Sequence, residues 1–525
     1  MSDPDSWWHL KTGEYIVTHH RLPVPDPFAY TTAAAKPGYA GEEKTRDFNL
    51  TQEWLAQVIW YLVYCLGGFA AVVLWKALLL AAACGLSWWV AARRTGIFFW
   101  GLAATLLAAW MAVNFTADRP ALLTFFFVPL FLAIFEERRR LWLLPALALI
   151  WANCHGGFFL SWIICGAYAA DALVRRTSDA KRVFVVSAAT VLASGLNPNG
   201  FAIIPTLLRY RQGALTSSLV EWSHPYLWGP PYAYDILLYA AALILVISWR
   251  RVRPVDWLLF VTFAAASLTA FRNEILIGLL APILIASYFP LKLRIPGTLP
   301  YAAAALLFAV TVWGSARGSF FQLRAATWRY PAGAVSFLQE HNITAPLFNT
   351  YEYGGYLIWR GERVFIDGRA LSETVYQDYR NIMGSPANSP LRTVTLARYQ
   401  IGAIVMNSFE YTSGTLYPLA VALAQPSMDE WKLVYEDPQA MIFLRDAPAG
   451  MTVLPKYQIT DHLESECRMH VEKDPEFSLC ARTLGYLFLR NGARDRARQE
   501  FGLYLQHPYG DDPEARRAYV QLLTQ

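Results

Sequence analysis

A succession of long apolar runs, parted by short polar loops, constrains this chain more than anything else in it. A bilayer's hydrocarbon core is about 30 Å thick and a helix rises about 1.5 Å per residue, so a crossing needs roughly 20 mostly apolar residues. Runs at 67–91, 97–115, 119–136, 141–153, 157–174, 181–196, 233–249, 256–271, 274–290 and 298–315 reach or approach that length. Only helices and closed barrels satisfy their backbone polar groups within lipid. The expected fold class is therefore a polytopic α-helical membrane bundle of about ten spans. The run at 141–153 holds Pro145 and ends at Asn153, Cys154 and His155, so a broken or tilted helix inside the bundle is expected there. Of 525 residues 55% are hydrophobic and 16% charged, too apolar for an ordinary soluble enzyme. The net charge of +5 resides mostly in the loops and does not suggest a nucleic-acid partner.

Charge sets the expected orientation. Alternate loops carry Arg93 and Arg94; Arg138, Arg139 and Arg140; Arg175, Arg176, Lys181 and Arg182; Arg250, Arg251 and Arg253; Lys292 and Arg294. The opposite loops carry only Arg119, Arg209, Arg211 and Arg272. The positive-inside rule makes the first set cytoplasmic, which leaves the N-terminal stretch and everything after residue 315 extracytoplasmic. An inner (plasma) membrane location follows as the expectation. Residues 51–66, with Trp54, Val58, Tyr61 and Leu62 on one helical face, read as an interfacial helix.

The first thirty residues form a polar site rather than a core. Asp3 and Asp5 stand beside Trp7 and Trp8, with His9, Lys11 and Glu14 close behind, and Asp26 lies between Pro25 and Pro27. Pro4, Pro23, Pro25 and Pro27 forbid one continuous helix, so a short helix from about Trp7 to Thr18 followed by an extended turn is expected.

This stretch resembles the first external loop of oligosaccharyltransferase catalytic subunits, which are GT-C class membrane glycosyltransferases. There an Asp precedes an aromatic pair, a His or Asn and a basic residue, and a second Asp-Pro precedes an aromatic further on. The resemblance puts Asp5 at the catalytic acidic position, with Trp7, His9 and Lys11 behind it, and Asp26, Pro27 and Phe28 at the second marker. GT-C enzymes place a membrane helix just before this loop. No such apolar segment precedes Asp3 here, so a start assigned too late, or a truncation, is expected.

The external ends of the runs present polar groups in turn: Asp118 and Arg119, Asn153 and His155, Asn197 and Asn199, then Arg272 and Glu274, with Glu221, Trp222 and His224 in the loop 197–232. Ionisable groups near bilayer depth are costly and usually face a cavity or a partner. A shared external cavity is expected, although Arg119 with Asp118, and Arg272 with Glu274, can equally be helix-end pairs.

After residue 315 the composition becomes that of an external α/β domain over 316–448, with helices near 331–341, 389–399 and 414–425. Strands are expected at Ala345–Phe348, Arg363–Ile366 and Ile401–Met406, and a hairpin at Lys432–Tyr435 and Met441–Leu444. Thr350, Tyr351, Glu352, Tyr353 and Gly354 stand where oligosaccharyltransferases carry Trp-Trp-Asp-Tyr-Gly, and Arg363 and Asp367 where they carry a later Arg and Asp. Only Tyr353 and Gly354 are identical, which leaves the acceptor open. The tail over 449–525 is helical; Leu484, Gly485, Phe488, Ala497 and Phe501 have the spacing of one tetratricopeptide unit and suggest a protein partner. Residues 1–66 form the external loop with the interfacial helix and 67–315 the bundle. Cys65, Cys84, Cys154 and Cys165 lie in or near apolar runs; Cys467 and Cys480 can pair if external.

The resemblance implies a transferase moving a sugar from a polyprenyl-phosphate-linked donor to a protein or glycan acceptor. Asp5 and Asp118 are the expected catalytic carboxylates, as general base or as holders of a divalent metal such as Mg or Mn. Arg119 and Arg272 are expected at the donor phosphate, and Trp7, His9, Glu352 and Tyr353 at the acceptor. A non-catalytic scaffold or assembly factor is the alternative, as is a transporter of lipid-linked sugars. A transporter should show inverted repeats or charges within spans, and neither stands out.

Overall fold

The computed structural model of the protein describes residues 3–32, 35–210, 213, 220–227, 232–290, 298–317, 322–386, 388–411, 413–473, 478–507 and 510–524. Arg211, Lys292 and Arg294 lie outside them. The chain folds as two compact units: Met1–Pro25, Pro37–Ala325 and Arg369–Leu371 form the first, and Asp26–Lys36, Ala326–Gly368 and Ser372–Gln525 the second. The first thirty residues, read as one loop from sequence, thus divide at Pro25.

The first unit is helical. It comprises α1 (Asp5–His19), α2 (Glu42–Thr51), α3 (Trp54–Thr95), α4 (Phe98–Ala112), α5 (Ala121–Glu137), α6 (Leu144–Cys154), α7 (Leu160–Val174), α8 (Ala180–Ser194), α9 (Ile203–Tyr210), α10 (Ala233–Ile247), α11 (Pro254–Ser267), α12 (Ile275–Tyr288) and α13 (Leu299–Ala316). Every apolar run foreseen from sequence is helical. By length and composition, Glu42–Thr95, Phe98–Phe115, Gly156–Val174 and Phe271–Tyr288 can cross a membrane, while Leu141–Cys154, Ala233–Ile247, Pro254–Ser267 and Tyr301–Ala316 are apolar but shorter.

The expected interfacial helix is the first part of α3, whose regular geometry breaks at Gly67 and Gly68. Gly68 has φ 60° and ψ −150°, a conformation closed to residues with a Cβ, so this pair fixes where the helix changes direction.

One end of the unit is closed by a buried ion cluster. Arg94, at the end of α3, lies 2.8 Å from Glu136 at the end of α5 and 3.1 Å from Asp256 in the first turn of α11. Arg253 lies 2.8 Å from Glu136 and 2.9 Å from Asp256, and the hydroxyls of Tyr168 and Tyr288 donate to Glu136 and Asp256 at 2.7 and 2.5 Å. Two cations and two anions there balance one another in charge, which lowers the cost of burying them.

The second unit is α/β. It comprises α14 (Ala332–Glu340), β1 (Leu347–Asn349), α15 (Gly354–Trp359), α16 (Glu373–Gly384), α17 (Pro390–Arg398), β2 (Ala403–Met406), β3 (Phe409–Glu410), β4 (Thr415–Leu416), α18 (Pro418–Leu423), β5 (Lys432–Glu436) and β6 (Met441–Leu444), then α19 (Gln458–Lys473), α20 (Leu479–Arg490), α21 (Arg494–Gln506) and α22 (Pro513–Thr524). The sheet order is β1-β2-β6-β5, with β1 parallel to β2 and the other pairs antiparallel. The hairpin β5-β6 is as expected. The strand expected at Arg363–Ile366 is not formed; Val364 makes only an isolated bridge to Ala29. Its backbone is satisfied instead by the Asn349 side chain, which accepts from Phe365 N–H at 2.9 Å and donates to Ile366 C=O at 2.8 Å. Helix α16, not anticipated, starts at Ser372, whose hydroxyl caps Val375 N–H.

Helices α19 to α22 bury Leu463, Leu484, Phe488, Ala497 and Phe501 in a common core, and a Cys467–Cys480 disulfide, Cα atoms 5.7 Å apart, ties α19 to α20. His462 on α19 is fully buried, with Nδ1 3.1 Å from Glu436 and Nε2 3.0 Å from Glu466. Glu466 also accepts from the backbone N–H groups of Ser408 and Phe409. Desolvation opposes the charge on His462, but the two carboxylates outweigh it and raise the imidazole from 6.5 to about 9. A group whose folded value is raised stabilises fully below its unfolded value and loses that contribution as pH rises through the folded one. Thermal unfolding of the full chain should therefore show stability falling between pH 6.5 and about 9 by up to a few kcal/mol. His462→Gln should flatten that window, and an unchanged profile would show that the histidine is not charged.

Candidate functional site

Helix α1 begins earlier than sequence suggested. Pro4, with φ −63° and no N–H to satisfy, supplies the N-cap, and Asp5 occupies the first turn, where a carboxylate suits the helix dipole. His20, at φ 52°, ends the helix. Trp7 is buried and meets Phe69 edge-on, with ring centroids 5.3 Å apart. A Cβ at Gly13 would overlap the Gln57 carbonyl, so this glycine is what lets α1 lie directly on α3. The first turn is then fixed by hydrogen bonds: Ser6 Oγ donates to Asp118 C=O at 3.1 Å, Trp8 Nε1 to Asp5 Oδ1 at 2.9 Å, and Asp5 N–H to Asp3 Oδ1 at 2.8 Å.

Arg119, from the loop before α5, is the centre of the arrangement. Its Nε is 2.6 Å from Asp3 Oδ2, one terminal nitrogen is 3.1 Å from Asp5 Oδ2, and the other is 3.5 Å from Glu221 Oε2. The second oxygen of Glu221 is 3.3 Å from Arg272, whose guanidinium lies 4.9 Å from the centroid of the Trp222 ring. Asp5, Arg119 and Arg272 are therefore joined through Glu221, one of the loop residues expected at the external ends of the runs. Burial pushes the Asp5 carboxyl up to about 6; Arg119 opposes that rise, and Asp3 reinforces it. An acid at that value sheds and takes protons near neutrality, as a general base requires.

Behind Asp5 stands Glu53, which sequence alone gave little weight. Its oxygens are 3.8 Å from His9 Nδ1 and 3.6 Å from His155 Nε2. His155 Nδ1 accepts from Gly157 N–H at 3.0 Å and contacts Thr124 Oγ1 at 2.7 Å, so its proton sits on Nε2, facing Glu53. Burial, and next Arg119, hold His9 well below 6.5 and neutral. His9 Nδ1 also meets Gln57 Nε2 at 3.3 Å.

Asp118 is deeply buried and pairs with Lys76 at 2.7 Å. Lys76, which also donates to Thr116 C=O at 3.1 Å, lies inside the 67–91 run and is a within-span charge that the sequence reading passed over. Asp5 and Asp118, expected to share a metal, each hold a different side-chain cation, Arg119 and Lys76. Among the described residues no three His, Cys, Asp or Glu gather as metal ligands. The donor set does not fit a divalent ion.

The expected acceptor residues are placed differently from one another. Trp7, His9 and Tyr353 are buried. The Tyr353 hydroxyl is engaged by Tyr411 at 3.1 Å and by the Gln439 carbonyl. Glu352, in the second unit, is partly exposed, accepts from Tyr417 Oη at 2.9 Å, and is pushed up to about 7 by desolvation.

Breaking one side of a buried ion pair costs about 3–5 kcal/mol, because the other charge is stranded. Lys76→Met should lower thermal stability on that scale, and adding Asp118→Asn should restore most of it. Additive losses in this double-mutant cycle would show that the two charges do not interact.

No family model matches the sequence, and no curated protein does. Solved structures do share the fold. The Archaeoglobus fulgidus oligosaccharyltransferase, tethered by a disulfide bond to an acceptor peptide containing the NVT sequon, superposes with a TM-score of 0.54 at 10% identity over 86% of this chain and 72% of that one. The archaeal oligosaccharyltransferase AglB from Archaeoglobus fulgidus, in complex with an inhibitory peptide and a dolichol-phosphate, gives 0.54 at 11% identity over 96% of this chain and 82% of that one. At such identities the likeness speaks for fold, and the fold is that of the archaeal oligosaccharyltransferases, as the GT-C resemblance of the first thirty residues implied.

Proposed function

We propose that this protein is a membrane glycosyltransferase that moves a sugar from a polyprenyl-phosphate-linked donor to a hydroxyl or amide acceptor on a protein or glycan at the extracytoplasmic face. The observation that carries the reading is the linkage of Asp5, Arg119, Glu221 and Arg272 at one end of a bundle with an oligosaccharyltransferase fold. The solved relative binds a dolichol-phosphate and a peptide, which supports a lipid-linked donor and a peptide-like acceptor here. In this reading all ten apolar helices cross an inner (plasma) membrane with the basic loops inside.

The chemistry follows from the charges. Arg272 and Arg119 meet the donor phosphate, exchanging their contacts to Glu221 for charge-assisted bonds to phosphate oxygens. The acceptor oxygen or nitrogen attacks the anomeric carbon, and its proton passes to Asp5. The bond from that carbon to the phosphate oxygen breaks, and the lipid phosphate leaves with the electron pair. The C-terminal helices α19 to α22 would meet a partner protein.

Asp5→Asn keeps the hydrogen bond from Trp8 but cannot take a proton. Transfer in membranes supplied with lipid-linked sugar should fall by about 10²–10⁴-fold. The wild-type rate should decline below an apparent pKa near 6, where Asp5 becomes protonated, and the variant should lack that limb. Arg272→Met should act chiefly on donor KM. Full activity in Asp5→Asn would remove the assignment of the base.

A further inference from the structure

We infer that Arg119 and Lys76 are built-in replacements for a divalent cation, so that this carboxylate site works as an organic ion cluster and not as a metal centre. All three guanidinium nitrogens of Arg119 are committed, to Asp3 at 2.6 Å, Asp5 at 3.1 Å and Glu221 at 3.5 Å. Three carboxylates sharing one positive charge is a task a hard cation can also perform, since Mg²⁺ and its relatives are bound through carboxylate oxygens, but around Arg119 each carboxylate meets a different nitrogen and the three do not gather as a metal-ligand group. Here the shared charge is a guanidinium, which is permanently charged and presents its donors in a fixed plane. Asp118, the other carboxylate of the loop, is closed by Lys76 at 2.7 Å with its side chain 2% exposed. An ion seeking Asp118 would have to displace an ammonium that itself has nowhere better to go within an apolar helix.

The two replacements divide the work. Arg119 keeps Asp3 and Asp5 together despite their repulsion and remains beside the place where phosphate charge would develop. Lys76 neutralises Asp118, whose backbone carbonyl holds Ser6 and hence the first turn of α1. A cation that cannot dissociate makes the geometry of α1 independent of metal supply. The inference rests on the transferase reading only where it concerns turnover; its test reads metal directly.

The measurement is Mn²⁺ titration of the purified full-length protein, followed by electron paramagnetic resonance of free Mn²⁺, on the wild type and on Asp5→Asn, Asp118→Asn and Arg119→Ser. The wild type should bind no Mn²⁺ that either carboxylate variant removes, whereas Arg119→Ser, with three carboxylates left facing one another, should take up about one Mn²⁺ per chain and recover thermal stability on binding it. Stoichiometric wild-type binding that is lost in Asp5→Asn or Asp118→Asn would overturn the inference. So would an Arg119→Ser variant that folds and binds none. If that variant does not fold, the wild-type titration decides alone. Transfer in membranes should persist in excess EDTA; loss restored by Mn²⁺ would overturn the inference, whereas a protein silent in both metal binding and transfer would leave the cluster intact and count against the transferase reading.

Discussion

The site depends on one guanidinium. Arg119 holds acids from α1 and from the segment containing Glu221, so three stretches far apart in sequence share a single positive charge. Such pairings contribute little net stability, because desolvating the ions offsets most of their attraction, but losing one partner is expensive. Their main effect is to specify geometry. Asp5 can sit deep enough for its affinity for protons to rise, yet remain tethered enough not to turn away.

Around that centre the neutral histidines fill a second role. His9 and His155 flank Glu53 without adding charge, so the acid faces two imidazoles whose orientation is set by Gln57 on one side and by Thr124 and Gly157 on the other. Trp7 and Gly13 serve the same end through packing: one anchors α1 against Phe69, and the other removes the side chain that would keep α1 away from α3.

Much of the fold was legible because apolar length is a local property: each run announced its own helix, and the loops between them sorted the polar residues to two ends. Arg119 and Arg272 stood out at the ends of such runs and Asp5 beside the aromatic pair of the N-terminal stretch, and the structure links the three through Glu221. Lys76 did not stand out, since one charge in a run averaging strongly apolar leaves the run's character unchanged. Glu53 looked like any acid beside a tryptophan; only the approach of two histidines from other segments distinguishes it. Trp7 and Trp8 are both buried on α1, whose start is set by Pro4, ahead of the Trp7 start expected from sequence. In the second unit, the extended look of Arg363–Ile366 misled because a side-chain amide, Asn349, takes the place of a neighbouring strand.

The closed cluster of Arg94, Glu136, Arg253 and Asp256 sits at the ends of α3 and α5 and the start of α11, while Arg119 precedes α5 and Arg272 follows α11. Its charges cancel within a few ångströms, so it presents almost no field to a distant ligand and gains nothing from one. Any rearrangement at the other end therefore has a fixed footing to work against, because this knot ties the far ends of α3 and α5 to the start of α11.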